Sequence, residues 1–154
     1  MKAVVQRVHW AEVLTNGEVA GRIDAGLLVY VGVVEADGPD DADGLADKVA
    51  GIRIFEDGQG KLNRGVRDIR GGVLAIPNFT LVADTRKGRR PSFVGAARPE
   101  SARTLYDTFV AALRNRGCTV ANGAFGATMT VCSAAAGPVN VILDTGSRPS
   151  VDPG

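Results

Sequence analysis

Gly26-Leu-Leu-Val-Tyr-Val-Gly-Val-Val34 decides the architecture. A near-continuous apolar run of this length reads as a strand buried on both faces, and such a strand belongs at the centre of a layered domain. Upstream, residues 11–14 and 18–23 flank Thr15-Asn16-Gly17, and Asn-Gly between apolar runs is a strong hairpin signal. Residues 2–8 read as a further strand. Downstream, Gly38-Pro39-Asp40-Asp41 has the proline and carboxylates of a helix start, with Leu45, Val49 and Ile52 on one face. A second helix opens at Pro99-Glu100, aligns Leu105, Phe109, Ala112 and Leu113, and stops at Gly117. Strands are expected at 72–76, 80–83, 127–132 and 139–144. The order predicts an α+β fold, a single β-rich domain with two amphipathic helices packed on the sheet. The domain is expected over 1–145, with a disordered tail over 146–154, where proline and glycine oppose regular structure.

Composition agrees with one soluble domain: 154 residues, 45% hydrophobic and 23% charged. No apolar stretch is long enough to span a bilayer, and the start lacks an apolar segment with a cleavage site, so the chain reads as cytoplasmic. Two cysteines, Cys118 and Cys132, and one histidine supply neither a disulfide framework nor a zinc set, so no metal or cofactor is expected. Residues 61–90 carry eight basic residues (Lys61, Arg64, Arg67, Arg70, Arg86, Lys87, Arg89, Arg90) against Asp68 and Asp84, although the whole chain has a net charge of only +1. Charge alone fits either a solvated loop face or a phosphate-backbone contact.

The familiar catalytic side-chain sets are missing. His9 has no serine on a G-x-S-x-G turn to serve, and no phosphate-binding glycine loop is present. The acidic cluster Asp40, Asp41, Asp43 and Asp47 serves a helix dipole. Two backbone-rich segments remain. Ala75-Ile-Pro-Asn-Phe-Thr-Leu-Val-Ala-Asp84 carries Pro77 inside a strand-like run, which predicts a bulge or bend that frees neighbouring N–H groups. Ala134-Ala-Ala-Gly-Pro-Val-Asn140 holds Gly137-Pro138, by itself readable as an ordinary turn.

At these residues the sequence resembles the D-aminoacyl-tRNA deacylase family. The match runs over about residues 1 to 144, through Gln6-Arg7-Val8, Gly17-Glu18-Val19, Gly26-Leu27-Leu28-Val29, Arg53-Ile54-Phe55, Lys61-Leu62-Asn63, Phe79-Thr80-Leu81-Val82-Ala83-Asp84, Gly88-Arg89-Arg90-Pro91-Ser92-Phe93, Leu105-Tyr106 and Gly137-Pro138-Val139. The resemblance implies a homodimer that hydrolyses the ester between a D-amino acid and tRNA, and glycyl-tRNA mischarged on alanine tRNA, with the active site at the interface. Residues 77 to 81 would form one pocket wall, comprising Pro77, Asn78, Phe79, Thr80 and Leu81. Gly137-Pro138 would enter the partner's pocket with a cis peptide, its carbonyls toward the substrate amine and against an L side chain. Oxyanion donors are expected around Phe79 and Thr80, with proton help from the substrate's own 2′-OH.

Three further roles follow from the resemblance. Arg7 would hold the Gly-Pro loop, where a lone strand arginine is otherwise a surface ion pair. Phe125 and Met129 would line the amino-acid pocket, or be plain core. Arg86, Lys87, Arg89 and Arg90, with Arg64 and Arg67, would dock the acceptor end of aminoacyl-tRNA. The family's Ser-Gln stands here as Pro77-Asn78, and proline cannot donate a backbone hydrogen bond. An animal branch with Pro-Gln at this point removes L-alanine from tRNA, so a relaxed-chirality deacylase is one alternative. A non-catalytic aminoacyl-tRNA binding module is the other.

Overall fold

The computed structural model describes residues 1–146. Eight strands and two helices run in the order β1 (Lys2–Thr15), β2 (Glu18–Ile23), β3 (Gly26–Gly32), α1 (Pro39–Gly51), β4 (Phe55–Glu56), β5 (Leu62–Arg64), β6 (Gly72–Pro77), α2 (Pro99–Asn115), β7 (Thr119–Asn122) and β8 (Met129–Asp144), with a 3-10 turn at Phe79–Val82. The α+β expectation holds. The sheet order is β2-β1-β3-β6-β7, with β8 on β1. The apolar run forms β3 at the centre, antiparallel to β1 and parallel to β6.

Alternation along β3 divides the core. Leu27, Val29 and Val31 face the helices, where they meet Leu45, Val49, Leu105 and Phe109. Leu28 points the other way, toward Leu74, Ile76, Val8 and Val13. The sheet curls over this second face: a Cβ on Gly21 of β2 would lie 2.8 Å from the Asn122 carbonyl of β7. β1 serves both layers. Ala3 and Val5 join the helix-side core, whereas Val8, Ala11 and Val13 join the other, and the parity changes where the β1–β8 register shifts between Val8 and Trp10.

Local chemistry sets the element ends. Asn16 and Gly17 both have positive φ, 53° and 77°, as a tight hairpin turn between right-twisted strands requires. Asp41 accepts the Gly38 N–H at the start of α1, and Pro99 opens α2. Arg116, after α2, donates to Asp43 and Asp47 of α1 and ties the helices together.

Several expectations are corrected. Residues 80–83 do not form a strand, because the β6 ladder ends at Pro77 and the chain tightens into a 3-10 turn. The strands expected at 127–132 and 139–144 are one sixteen-residue strand, β8, which begins only at Met129 and uses the full length of β1 as its template. Residues 2–8 and 11–14 are likewise one strand. Gly137-Pro138 is not an ordinary turn; it sits within β8 with a cis peptide bond. β7 and the β4–β5 hairpin are too short to show in a pattern. The expected tail lies beyond the described residues, apart from Gly146.

Backbones approach closely between β3 and β6, where a Cβ on Gly26 would fall 2.0 Å from the Gly72 carbonyl oxygen. Gly26→Ala is therefore expected to force the central strands apart and cost about 1–3 kcal/mol or more. The check is a fall in urea midpoint at unchanged m-value.

Candidate active site

Pro77 ends β6 opposite Val31, and the Asn78 N–H makes one further bond to the Val31 carbonyl at 2.7 Å. Asn78 then turns the chain. Its Oδ1 accepts the Thr80 N–H at 3.2 Å and the Thr80 hydroxyl at 2.5 Å, and its carbonyl accepts the Leu81 N–H at 3.4 Å. This is N-cap chemistry at the start of a 3-10 turn. The expected oxyanion donors divide accordingly: the Thr80 N–H is held by Asn78, and the Phe79 N–H is the remaining amide of the corner. Phe79 itself is 61% exposed, its ring edge-on to Phe93 at 5.1 Å between centroids. Leu81 packs behind the corner over Gly32, where an added Cβ would lie 3.1 Å from the Leu81 Cβ.

Pro77, Asn78, Phe79 and Gly126 line two cavities in common. One, of about 350 Å³, lies toward the helices and is walled by Val31, Ala97, Tyr106 and Phe125. The other, of about 420 Å³, is walled by Tyr30, Ile76, Thr128, Met129 and Val131. Phe125 and Met129 thus flank the Pro77–Phe79 corner, one in each cavity. Arg103 lies over the Phe125 ring at 5.7 Å.

Tyr106 is the member that sequence reasoning missed as a site residue. Its phenol is within 2.9 Å of both the Ala75 carbonyl and Asn122 Oδ1, so one hydroxyl ties α2 to β6 and β7 just before the corner. Burial, reinforced by the Asp107 charge, pushes this phenol well above its ordinary value, and it stays a donor. The available signal was a tyrosine on an otherwise apolar helix face.

The Gly137-Pro138 segment lies elsewhere. Arg7 Nε donates to the Ala136 carbonyl at 3.1 Å and Nη1 to the Ile54 carbonyl at 2.9 Å, so the guanidinium bridges β8 to the chain after α1. It makes no ion pair among the described residues. A cavity of about 330 Å³ beside it is lined by Arg7, His9, Phe55, Glu56, Ala136 and Gly137, and shares no lining residue with the cavities at Pro77. Arg7 pairs with Leu27, whereas Pro77 pairs with Val31. The two segments are therefore separated by about 13 Å along the strands and by about 14 Å across the sheet from β8 over β1 and β3 to β6.

The basic residues divide into three groups. Arg67 donates to the Arg116 carbonyl at 2.8 Å and Arg64 to the Asp68 carbonyl at 2.7 Å, which puts Arg67 at the start of β6 and β7, away from Pro77. Arg86 is forked onto Asp84. Among the described residues nothing pairs with the side chains of Lys87, Arg89 and Arg90, which are exposed in the 85–91 loop.

The family model described as D-Tyr-tRNA(Tyr) deacylase matches residues 4–144. A "D-aminoacyl-tRNA deacylase" of Thermus aquaticus is 50% identical over 149 residues, 97% of this chain and 98% of that protein. One from Chloroflexus aurantiacus is 51% identical over 145 residues, 94% of this chain and 91% of its own length. The solved structure titled "c-Myc DNA Unwinding Element Binding Protein" superposes with a TM-score of 0.89 at 35% identity, covering 94% of this chain and 99% of that one.

Tyr106→Phe removes the donor shared by Ala75 and Asn122; the Ala75 carbonyl keeps the Gly123 N–H at 2.9 Å, and Asn122 Oδ1 loses this partner. A loss of about 1–3 kcal/mol is expected. Denaturant unfolding gives the loss, and hydrogen exchange faster at the end of β6 than across α1 would locate it.

Proposed function

The chain belongs to the D-Tyr-tRNA(Tyr) deacylase family, and from that premise we propose that it hydrolyses the ester of D-aminoacyl-tRNA and of glycyl-tRNA. The products are free amino acid and tRNA. Water adds to the ester carbonyl, the bond to the ribose oxygen breaks, and the proton passes to that oxygen with help from the neighbouring 2′-OH. The developing oxyanion falls to the Phe79 N–H at the Pro77–Leu81 corner, where a fixed amide needs no proton transfer of its own. Thr80 organises the corner and is not a nucleophile: its hydroxyl is committed to Asn78, and among the described residues it makes no hydrogen bond to an imidazole or amine.

The observation that carries this reading is the distance within one subunit between the Pro77 corner and the Arg7-braced Gly137-Pro138 segment. Neither makes a complete site alone. A second copy supplies the missing half, so we read the protein as a homodimer whose Gly-Pro carbonyls face the partner's substrate amine and refuse an L side chain. Glycine has no side chain to refuse. The outer edge of β8 supports the pairing. This strand bonds only to β1 among the described residues, and Ile142 on it is 79% exposed. The amino acid sits at the corner that Phe125 and Met129 flank from its two cavities. Phosphates of the acceptor end meet the unpaired cations Lys87, Arg89 and Arg90. Arg64 and Arg67 are less well placed on the same subunit and serve at most its outer reach. No helix among the described residues is long and apolar enough to cross a membrane.

Purified protein is expected to deacylate D-Tyr-tRNA and Gly-tRNA and to leave L-Ala-tRNA intact. Loss of L-Ala as well would assign the relaxed-chirality activity, and protection of all three esters would leave a binding module. In the same assay Arg7→Ala should lower kcat on the order of 100-fold by releasing the Gly-Pro segment. Thr80→Val should stay within about tenfold of wild type, whereas abolished turnover would make the hydroxyl catalytic.

A further inference from the structure

The basic loop 85–91 is built on an internal brace. Asp84 and Ser92 exchange two backbone hydrogen bonds, 2.8 and 2.9 Å, which close the neck of the loop. Asp84 also captures Arg86. Arg86 Nε lies 2.9 and 3.1 Å from the two carboxylate oxygens, Nη2 donates at 2.7 Å, and the Arg86 backbone N–H donates at 3.0 Å. Two side-chain nitrogens and a backbone amide thus converge on one carboxylate, the geometry in which an exposed pair is most persistent. Directly after Ser92 comes Phe93, whose ring meets Phe79 at the catalytic corner.

We propose that Arg86 is a positioning residue and not a phosphate ligand: with Asp84 it forms a neutral brace that presents Lys87, Arg89 and Arg90 to the acceptor stem and fixes their place relative to the Phe93–Phe79 contact. The inference rests on the reading that this loop meets aminoacyl-tRNA. A neutral pair releases no counterions when phosphate arrives, whereas three unpaired cations do. The Arg86 bonds hold the Asp84 carboxyl down at about 2, so the brace is intact at any pH above the usual carboxylate range. Arginine is required for the role, because a lysine ammonium has the charge without the planar fork.

The test is binding of uncharged tRNA across a sodium chloride series, with turnover of D-Tyr-tRNA measured on the same preparations. Arg86→Gln and Arg86→Lys should each weaken binding about fivefold, as expected for loss of an ordered pair. Both should keep the wild-type slope of log affinity against log salt. Arg89→Gln should flatten that slope by about 0.7–0.9, one phosphate contact. The double variant Asp84→Asn/Arg86→Gln should bind no more weakly than Arg86→Gln alone, since the two act as one unit. The proposal is overturned if Arg86→Gln flattens the slope as Arg89→Gln does, if Arg86→Lys binds like wild type, or if neither Arg86 variant changes binding. Expected slopes in a wild-type protein that does not hydrolyse D-Tyr-tRNA would instead remove the deacylase reading and leave the brace standing.

Discussion

β1 is hydrogen-bonded along both edges, and the rest of the molecule takes its register from it. One edge pairs with β3 over Lys2 to Val8 and then with β2 over Ala11 to Thr15, while the other holds β8 from end to end. A strand shared this way cannot slip by one residue without turning every side chain to the wrong layer. The change of face between Val8 and Ala11 lets one strand serve two layers. Arg7 precedes it, on the strand parity of Ala3 and Val5 and opposite the extra residues of β8, and its guanidinium reaches the carbonyls of Ile54 and Ala136.

The second constraint is the end of the β6 ladder. Proline cannot donate to a further partner, so Pro77 closes the parallel pairing and Asn78 has to find other bonds for the next amides. Its side chain is short enough to cap the 3-10 turn itself. The corner that results carries Phe79 outward between two cavities, and Tyr106 fastens the strand two residues before it. Proline in place of the family's serine is accommodated without disturbing the ladder, because this position is already its last rung.

Much of the fold is legible in the sequence because local chemistry dictates it. The apolar run 26–34 has no alternative but burial, Asn16-Gly17 names its own turn, and Pro39 and Pro99 each open a helix. Where legibility fails, the deciding partner is remote. Residues 80–83 have a strand's composition, but β3 ends before it can pair with them. Gly137-Pro138 looks like a turn until the far half of β1 is present to hold the chain extended on both sides. Arg7 reads as a surface ion pair by default, yet its acceptors are main-chain carbonyls, which leave no trace in side-chain chemistry. Charge counting finds the basic window but cannot divide it, and the fold does: Arg64 and Arg67 bond the carbonyls of Asp68 and Arg116, Arg86 pairs with Asp84, and Lys87, Arg89 and Arg90 are left without a partner among the described residues at the tip of the loop.

The absence of a side-chain triad then has a physical logic. Mirror-image amino acids differ in where the side chain stands relative to the amine and the carbonyl, so a pocket that selects between them by adding side-chain contacts would also select among amino acids. Main-chain atoms in fixed positions avoid this, because they judge the α-carbon substituents without reading the side chain's identity. Such a device demands that the backbone be held rigidly at two places at once. On the proposed reading those places are the Arg7 brace on β8 and the capped corner after β6.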